Sequence, residues 1–95
     1  MKLIYTNHLK LRLKIRKIPF GYPKEILEKP DDIFFDVTEN RKIAIKKLKY
    51  NRSIRNMMVA YDETEDGVEI VTIHPISDEK ILNRRMSGRW IKNNG

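Results

Sequence analysis

Two β-rich runs, each folded back around a short polar turn, constrain this chain more than any other feature. "IFFDVTENRKIAIKKLKY" (33 to 50) places sheet-favouring residues on both sides of "TENR", and "SIRNMMVAYDETEDGVEIVTIHPI" (53 to 76) repeats the arrangement around "ETEDG". Both predict hairpins, and the two hairpins are expected to share one central strand pair. In the second, Ile70, Val71, Thr72 and Ile73 are apolar or β-branched without alternation, the pattern of a strand buried on both faces near the sheet centre.

The flanking segments carry helix signals. "KLIYT" (2 to 6) reads as a short opening strand, followed by Thr6 or Asn7 as a cap. "YPKEILEKPDD" (22 to 32) has Pro23 at a first helical position, Glu25 in the first turn and Pro30 as a stop, which predicts a short helix. In "SDEKILNRRMSGRWIKNNG", Ser77 caps and Asp78 with Glu79 meets the positive end of the helix dipole. Leu82, Met86 and Trp90 recur every fourth residue as the stripe of this third helix, although Ser87 and Gly88 weaken it before Trp90. Residues 91–95 are expected to fray.

Ninety-five residues make one domain, 1–95, with a limited interior. A hydrophobic content of 40% beside 35% charged residues lies above the regime of disorder, so the chain folds. The net charge of +7 favours a polyanion, whether nucleic acid, an acidic protein or an anionic membrane surface, and selects none of them. The lack of cysteine excludes disulfides, zinc–thiolate sites and cysteine nucleophiles, and fits a reducing cytosol. Met1 to Tyr5 is too short an apolar run for a signal peptide, and no stretch has transmembrane length, so a cytoplasmic protein without membrane contact is expected. Its carboxylates do not cluster as metal ligands, "DETED" (62 to 66) reads as a hairpin tip, and no phosphate-binding glycine loop is present. Neither metal nor cofactor is expected.

"HLKLRLKIRKIP" (8 to 19) fits two templates. As a strand, Leu9, Leu11, Leu13 and Ile15 cover one face while Lys10, Arg12, Lys14 and Arg16 share the other. As a helix, Leu11, Ile15 and Ile18 form one ridge and Leu9 with Leu13 another. His8, Arg12 and Arg16 then lie between the ridges, while Lys10, Lys14 and Lys17 face away. Periodicity alone favours the strand.

The order T-x-H-x3-R-x3-R-x-I (Thr6, His8, Arg12, Arg16, Ile18), a short helix ending at "EKPD", and two hairpins with "MMVAY" and "VEIVTIHPI" resemble a family of small prokaryotic proteins. That family carries a domain of unknown function grouped beside the RelE/ParE toxin superfamily, and the likeness runs from about residue 4 to 76. The resemblance implies that the opening stretch is a helix. It also implies an α+β fold: a mostly antiparallel sheet of about four strands, two N-terminal helices on one face and a C-terminal helix.

Ribosome-dependent toxins of this superfamily cut messenger RNA by attack of a ribose 2′-hydroxyl on the neighbouring phosphate, which needs a base, an acid and cations. The resemblance therefore implies a metal-independent endoribonuclease acting on RNA or the ribosome in a toxin–antitoxin-type system. Its catalytic residues would be His74, Arg55 and Lys46, with His8, Arg12, Arg16, Lys47, Lys49, Arg84 and Arg85 binding nucleic acid. Two positions depart from the pattern. Met57 and Met58 stand where active toxins commonly have an arginine, and Trp90 is the nearest aromatic to the usual C-terminal tyrosine. Two other readings remain: an inactive relative that binds an acidic antitoxin-like protein over Trp90 and Met86, and a DNA-binding or structural module. Individual residues also have structural alternatives. His8 can hydrogen-bond within the fold, Arg12 and Arg16 can pair with Asp31, Asp32 or Asp36, and Lys46, Lys47 and Lys49 can mark a bulge or a solvated strand end. The oligomeric state is left open.

Overall fold

The computed structural model describes residues 1–93. The elements follow in the order β1 (Leu3–Ile4), α1 (Asn7–Arg16), α2 (Tyr22–Glu28), β2 (Asp32–Asp36), β3 (Arg41–Tyr50), β4 (Ser53–Thr64), β5 (Gly67–Pro75), α3 (Asp78–Met86) and β6 (Trp90–Lys92). All strands join one sheet in the order β1-β5-β4-β3-β2-β6, so both expected hairpins form and β3–β4 is the central pair. Asn51 and Arg52 link that pair with φ of 50° and 66°, the left-handed geometry whose twist matches two antiparallel strands.

The sheet is larger than the four-stranded, mostly antiparallel one expected. β1 adds a parallel edge through Leu3 opposite Val68, and β6 adds an antiparallel one through Trp90 opposite Asp36. Gly67 permits the first addition. With φ of 141° it lets the Lys2 carbonyl approach so closely that a Cβ would lie 2.5 Å from the oxygen, and the next amide, of Val68, donates to that carbonyl at 2.8 Å.

β5 is not central, and a bulge rather than burial on both faces breaks its alternation. Ala60 pairs with Thr72 and Tyr61 with Ile70, so Val71 is the extra residue. β3, in contrast, runs regularly through its lysines. Ala44, Leu48 and Tyr50 pack on one face and Ile43 with Ile45 on the other, so Lys46 points to the first face and Lys47 and Lys49 to the second.

Residues 7–16 are helical, as the resemblance implied. Thr6 Oγ1 accepts from the Leu9 amide at 3.1 Å, and Lys17, with φ of 56°, ends the helix while the Ile18 amide donates to Leu13 O. The ridge of Leu9 and Leu13 is buried, while the other is split, since Ile18 beyond the helix end is buried and its helical members are not. Leu9 and Leu13 enter the core with Ile26, Met57 and Ile73, whereas Leu11 and Ile15 stand in solvent, because a helix lying on a sheet presents it one face. Leu9→Ala is expected to cost about 3 kcal/mol and Leu11→Ala less than about 0.5 kcal/mol, measured as the difference in chemical denaturation.

A second core covers the opposite sheet face, where Phe34, Ile43, Ile45, Met58 and Ala60 meet Ile76, Trp90 and Ile81 of the α3 region. The expected stripe of α3 is corrected here. Leu82 and Met86 are exposed and Ile81 is the residue that packs inward. Gly88, at φ of 80°, follows the helix end, and Trp90 enters the core from β6 instead. The expected fraying of residues 91–95 is also corrected where they are described. Ile91 and Lys92 belong to β6, the Asn93 amide donates to Ile33 O at 2.8 Å, and residues 94 and 95 lie outside the described residues. Among the described residues, no helix is long and apolar enough to cross a membrane.

Candidate functional site

α3 crosses only part of its sheet face, and the uncovered part forms a cleft of about 330 Å³. Its floor is apolar, made by Ile43, Met58 and Ala60 from the middle strands. One wall is β5 with Thr72 and His74, the second is α3 with Lys80 and Arg84, and the third is Asp36, Arg89 and Trp90. Lys80 and Arg84, four residues apart, share a flank of α3, and the β5 bulge returns His74 to the cleft face opposite Met58. Arg41 lines the mouth and pairs with Asp62 at 3.5 Å.

The His74 ring is oriented by its neighbour. Nδ1 lies 2.9 Å from Pro75 O, and since a carbonyl oxygen only accepts, Nδ1 carries the proton. The neutral imidazole therefore keeps its basic lone pair on Nε2.

Asp36 anchors the third wall. The alternation of β2 places it on the same inward face as Phe34, and only 2% of it is exposed. Its carboxylate accepts from the amides of Thr38 (2.9 Å) and Glu39 (3.0 Å), from Trp90 Nε1 (3.0 Å) and from Arg89 Nε, at 3.2 Å to each oxygen. Burial by itself raises the carboxyl pKa. The hydrogen bonds from Arg89, the Glu39 amide and Trp90, with the Arg89 charge, outweigh it and hold Asp36 below the usual carboxylate value. Trp90 in turn stacks on Phe34, with centroids 5.5 Å apart.

The expected site residues divide between the two sheet faces. His74 and Arg84 meet in the cleft. Lys46 and Arg55 do not: Lys46 Nζ donates to Lys29 O at the end of α2, and Arg55 Nε donates to Tyr50 O and Ser53 Oγ at the β3–β4 turn. Nor do His8, Arg12 and Arg16 form a common site with His74, since α1 packs on the other face. Arg16 Nη1 donates to Ile73 O at 2.9 Å, closing the stretch of β5 edge that the short β1 leaves open, Arg12 is half-buried and His8 is exposed. Lys47 and Lys49 lie exposed beyond the cleft on its own face. Arg85 turns to the far flank of α3, 5.5 Å above the Phe34 ring, beside a second groove that Leu82 and Met86 line.

The cleft also contains Asp36, Lys80 and Arg89, which no sequence motif had singled out. One signal was present: "IFFD" places a carboxylate on the inward side of an apolar strand, where an acid needs partners. The expected pairing of Asp36 with Arg12 or Arg16 is corrected, since its partner is Arg89. Among the described residues, no three His, Asp or Glu side chains gather as metal ligands. The arrangement offers a proton acceptor beside two cations of α3 over an apolar floor, suited to an anionic group carried on an apolar body. No protein family, curated protein or solved structure matches this chain.

Proposed function

We propose that this chain is a small basic RelE/ParE-like protein of a toxin–antitoxin-type system that acts on RNA at the ribosome as a metal-independent endoribonuclease. The observation that carries this reading is that His74, Lys80 and Arg84 line one cleft, with the His74 proton on Nδ1. The order of two helices followed by two hairpins supports it, as the family resemblance implies that order. The departures from the family pattern find a physical counterpart. Met57 and Met58 are core residues, Met58 being part of the cleft floor, and the cleft takes its cations from Lys80 and Arg84 of α3, Arg41 and Arg89 rather than from β4.

In this mechanism His74 Nε2 takes the proton of a ribose 2′-hydroxyl and the 2′-oxygen attacks the adjacent phosphorus. The bond to the 5′-oxygen breaks, that oxygen takes a proton from solvent water, and a 2′,3′-cyclic phosphate remains. Lys80 and Arg84 offset the charge that grows on the non-bridging oxygens. Controlled expression in a bacterial host is expected to arrest growth, with cuts in ribosome-bound messenger, and Arg84→Ala is expected to weaken binding of a single-stranded RNA and flatten its salt dependence. Intact growth and intact messenger on expression of the wild type would reject the nuclease reading.

A second reading, an inactive relative that binds an acidic antitoxin-like protein, draws on the groove beside α3. There Leu82 and Met86 are exposed next to Arg85, and Trp90 lines the same groove with only 4% of its surface exposed. Co-purification with a small acidic protein, without RNA cleavage, would favour it.

A further inference from the structure

Arg89 is the one arginine of the cleft whose guanidinium is clamped by a buried carboxylate. Its Nε faces both oxygens of Asp36 at 3.2 Å, and Asp36 is itself held by two main-chain amides and by Trp90 Nε1. Among the described residues the two terminal nitrogens of Arg89 make no hydrogen bond, and Nη2 lies 3.8 Å from the carboxylate of exposed Glu39. The Arg89 side chain is 29% exposed and lines the same cleft as Lys80 and Arg84. A guanidinium anchored through Nε, with both terminal nitrogens left to donate, is preorganised to receive two oxygens of a tetrahedral anion, and an anion bound there costs less side-chain entropy than one bound by a free arginine.

We propose that Arg89 is the phosphate-binding fork of the cleft and that Asp36 is its positioning residue, so that one phosphate group of the ligand seats between Arg89 on the β6 side and Arg84 with Lys80 on α3. This rests on the reading of the cleft as a phosphodiester site and names the group that orients the phosphate. Glu39 shields Arg89 in the free protein and gives way when the anion arrives, because a contact of 3.8 Å to an exposed carboxylate is weak.

The test is binding of two probes, inorganic phosphate and a short single-stranded RNA, to the whole chain and its variants, followed by NMR titration with thermal unfolding recorded alongside. Arg89→Lys, which keeps the charge and loses the fork, is expected to weaken both probes about tenfold. Asp36→Asn is the sharper variant. It removes a negative charge beside the cleft, so Coulomb attraction alone would tighten anion binding, whereas loss of the clamp weakens it. Weaker binding in both variants, at temperatures where both are folded, supports the proposal. Unchanged binding in Arg89→Lys, or tighter binding in Asp36→Asn, overturns it and leaves Arg89 as the neutralising partner of Asp36. If the wild type binds phosphate through Arg89 but not RNA, the fork stands and the RNA reading falls. If RNA binding depends on Arg84 and not on Arg89, the fork falls and the RNA reading stands. A wild type that binds neither probe overturns both.

Discussion

Asp36→Ala is expected to remove about 3 kcal/mol of folding stability, a fall of roughly 12–24 °C in melting temperature for a domain of this size. The magnitude follows from what is left behind. Trp90 Nε1 loses its acceptor in a residue that is 4% exposed, the guanidinium of Arg89 loses its counter-ion, and the Thr38 and Glu39 amides lose the oxygen that shapes the β2–β3 turn. Thermal unfolding at neutral pH measures it, and a loss below about 1 kcal/mol would show that water replaces the carboxylate at little cost. The same group adds acid sensitivity. Its carboxyl titrates near about 3.9 in an unfolded chain and lower in the folded protein, so its contribution is complete above the unfolded value and disappears as the pH falls through the folded one. In Asp36→Asn the acid limb of the stability curve should be shallower than in the wild type.

If the proposed endoribonuclease reading holds, His74→Ala slows RNA cleavage by about 10²- to 10⁴-fold, the usual contribution of a positioned general base. Folding should change by less than about 1 kcal/mol, because the ring's hydrogen bond reaches only the carbonyl of the next residue. RNA binding should persist, since the cations of α3 are untouched. Growth arrest on expression would then vanish while melting temperature and affinity stay near wild type. Cleavage at wild-type rate in this variant would remove His74 from the mechanism, and a collapse in melting temperature would show that the ring is structural.

Local signals were sufficient for much of the fold. The turns at "TENR" and "ETEDG", Pro23 at the start of α2 and Ser77 before α3 are short-range instructions, and each acts where its residues stand. The helix of residues 7–16 is a different case. Its alternation suits a strand, and only the resemblance argued otherwise; the structure buries Leu9 and Leu13 and leaves Leu11 and Ile15 in water. The strand at Trp90 was hidden for a similar reason. Its spacing from Leu82 and Met86 suits a helix, yet an indole that can reach the Asp36 carboxylate and stack on Phe34 gains more at the sheet edge than on a helix beyond Gly88.

The candidate site depended more heavily on long-range contacts. His74 and Arg84 are ten residues apart in sequence and were legible as a strand-end histidine and a basic helix. The separation of Lys46 and Arg55 from them was not legible, because one residue of register decides which face a strand residue occupies. The sequence by itself determined the two hairpins, the helix caps, the basic charge and the exclusion of thiol chemistry, all properties of neighbouring residues or of composition. Only the tertiary structure decided that Asp36 and Arg89, 53 positions apart, meet, that α1 and the cleft occupy opposite faces, and that His74 shares its cleft with Lys80 and Arg84 of α3. Those outcomes depend on strand order, the bulge in β5 and the edge at which β6 joins, and each of these is settled by competition for buried space among residues distant in the chain.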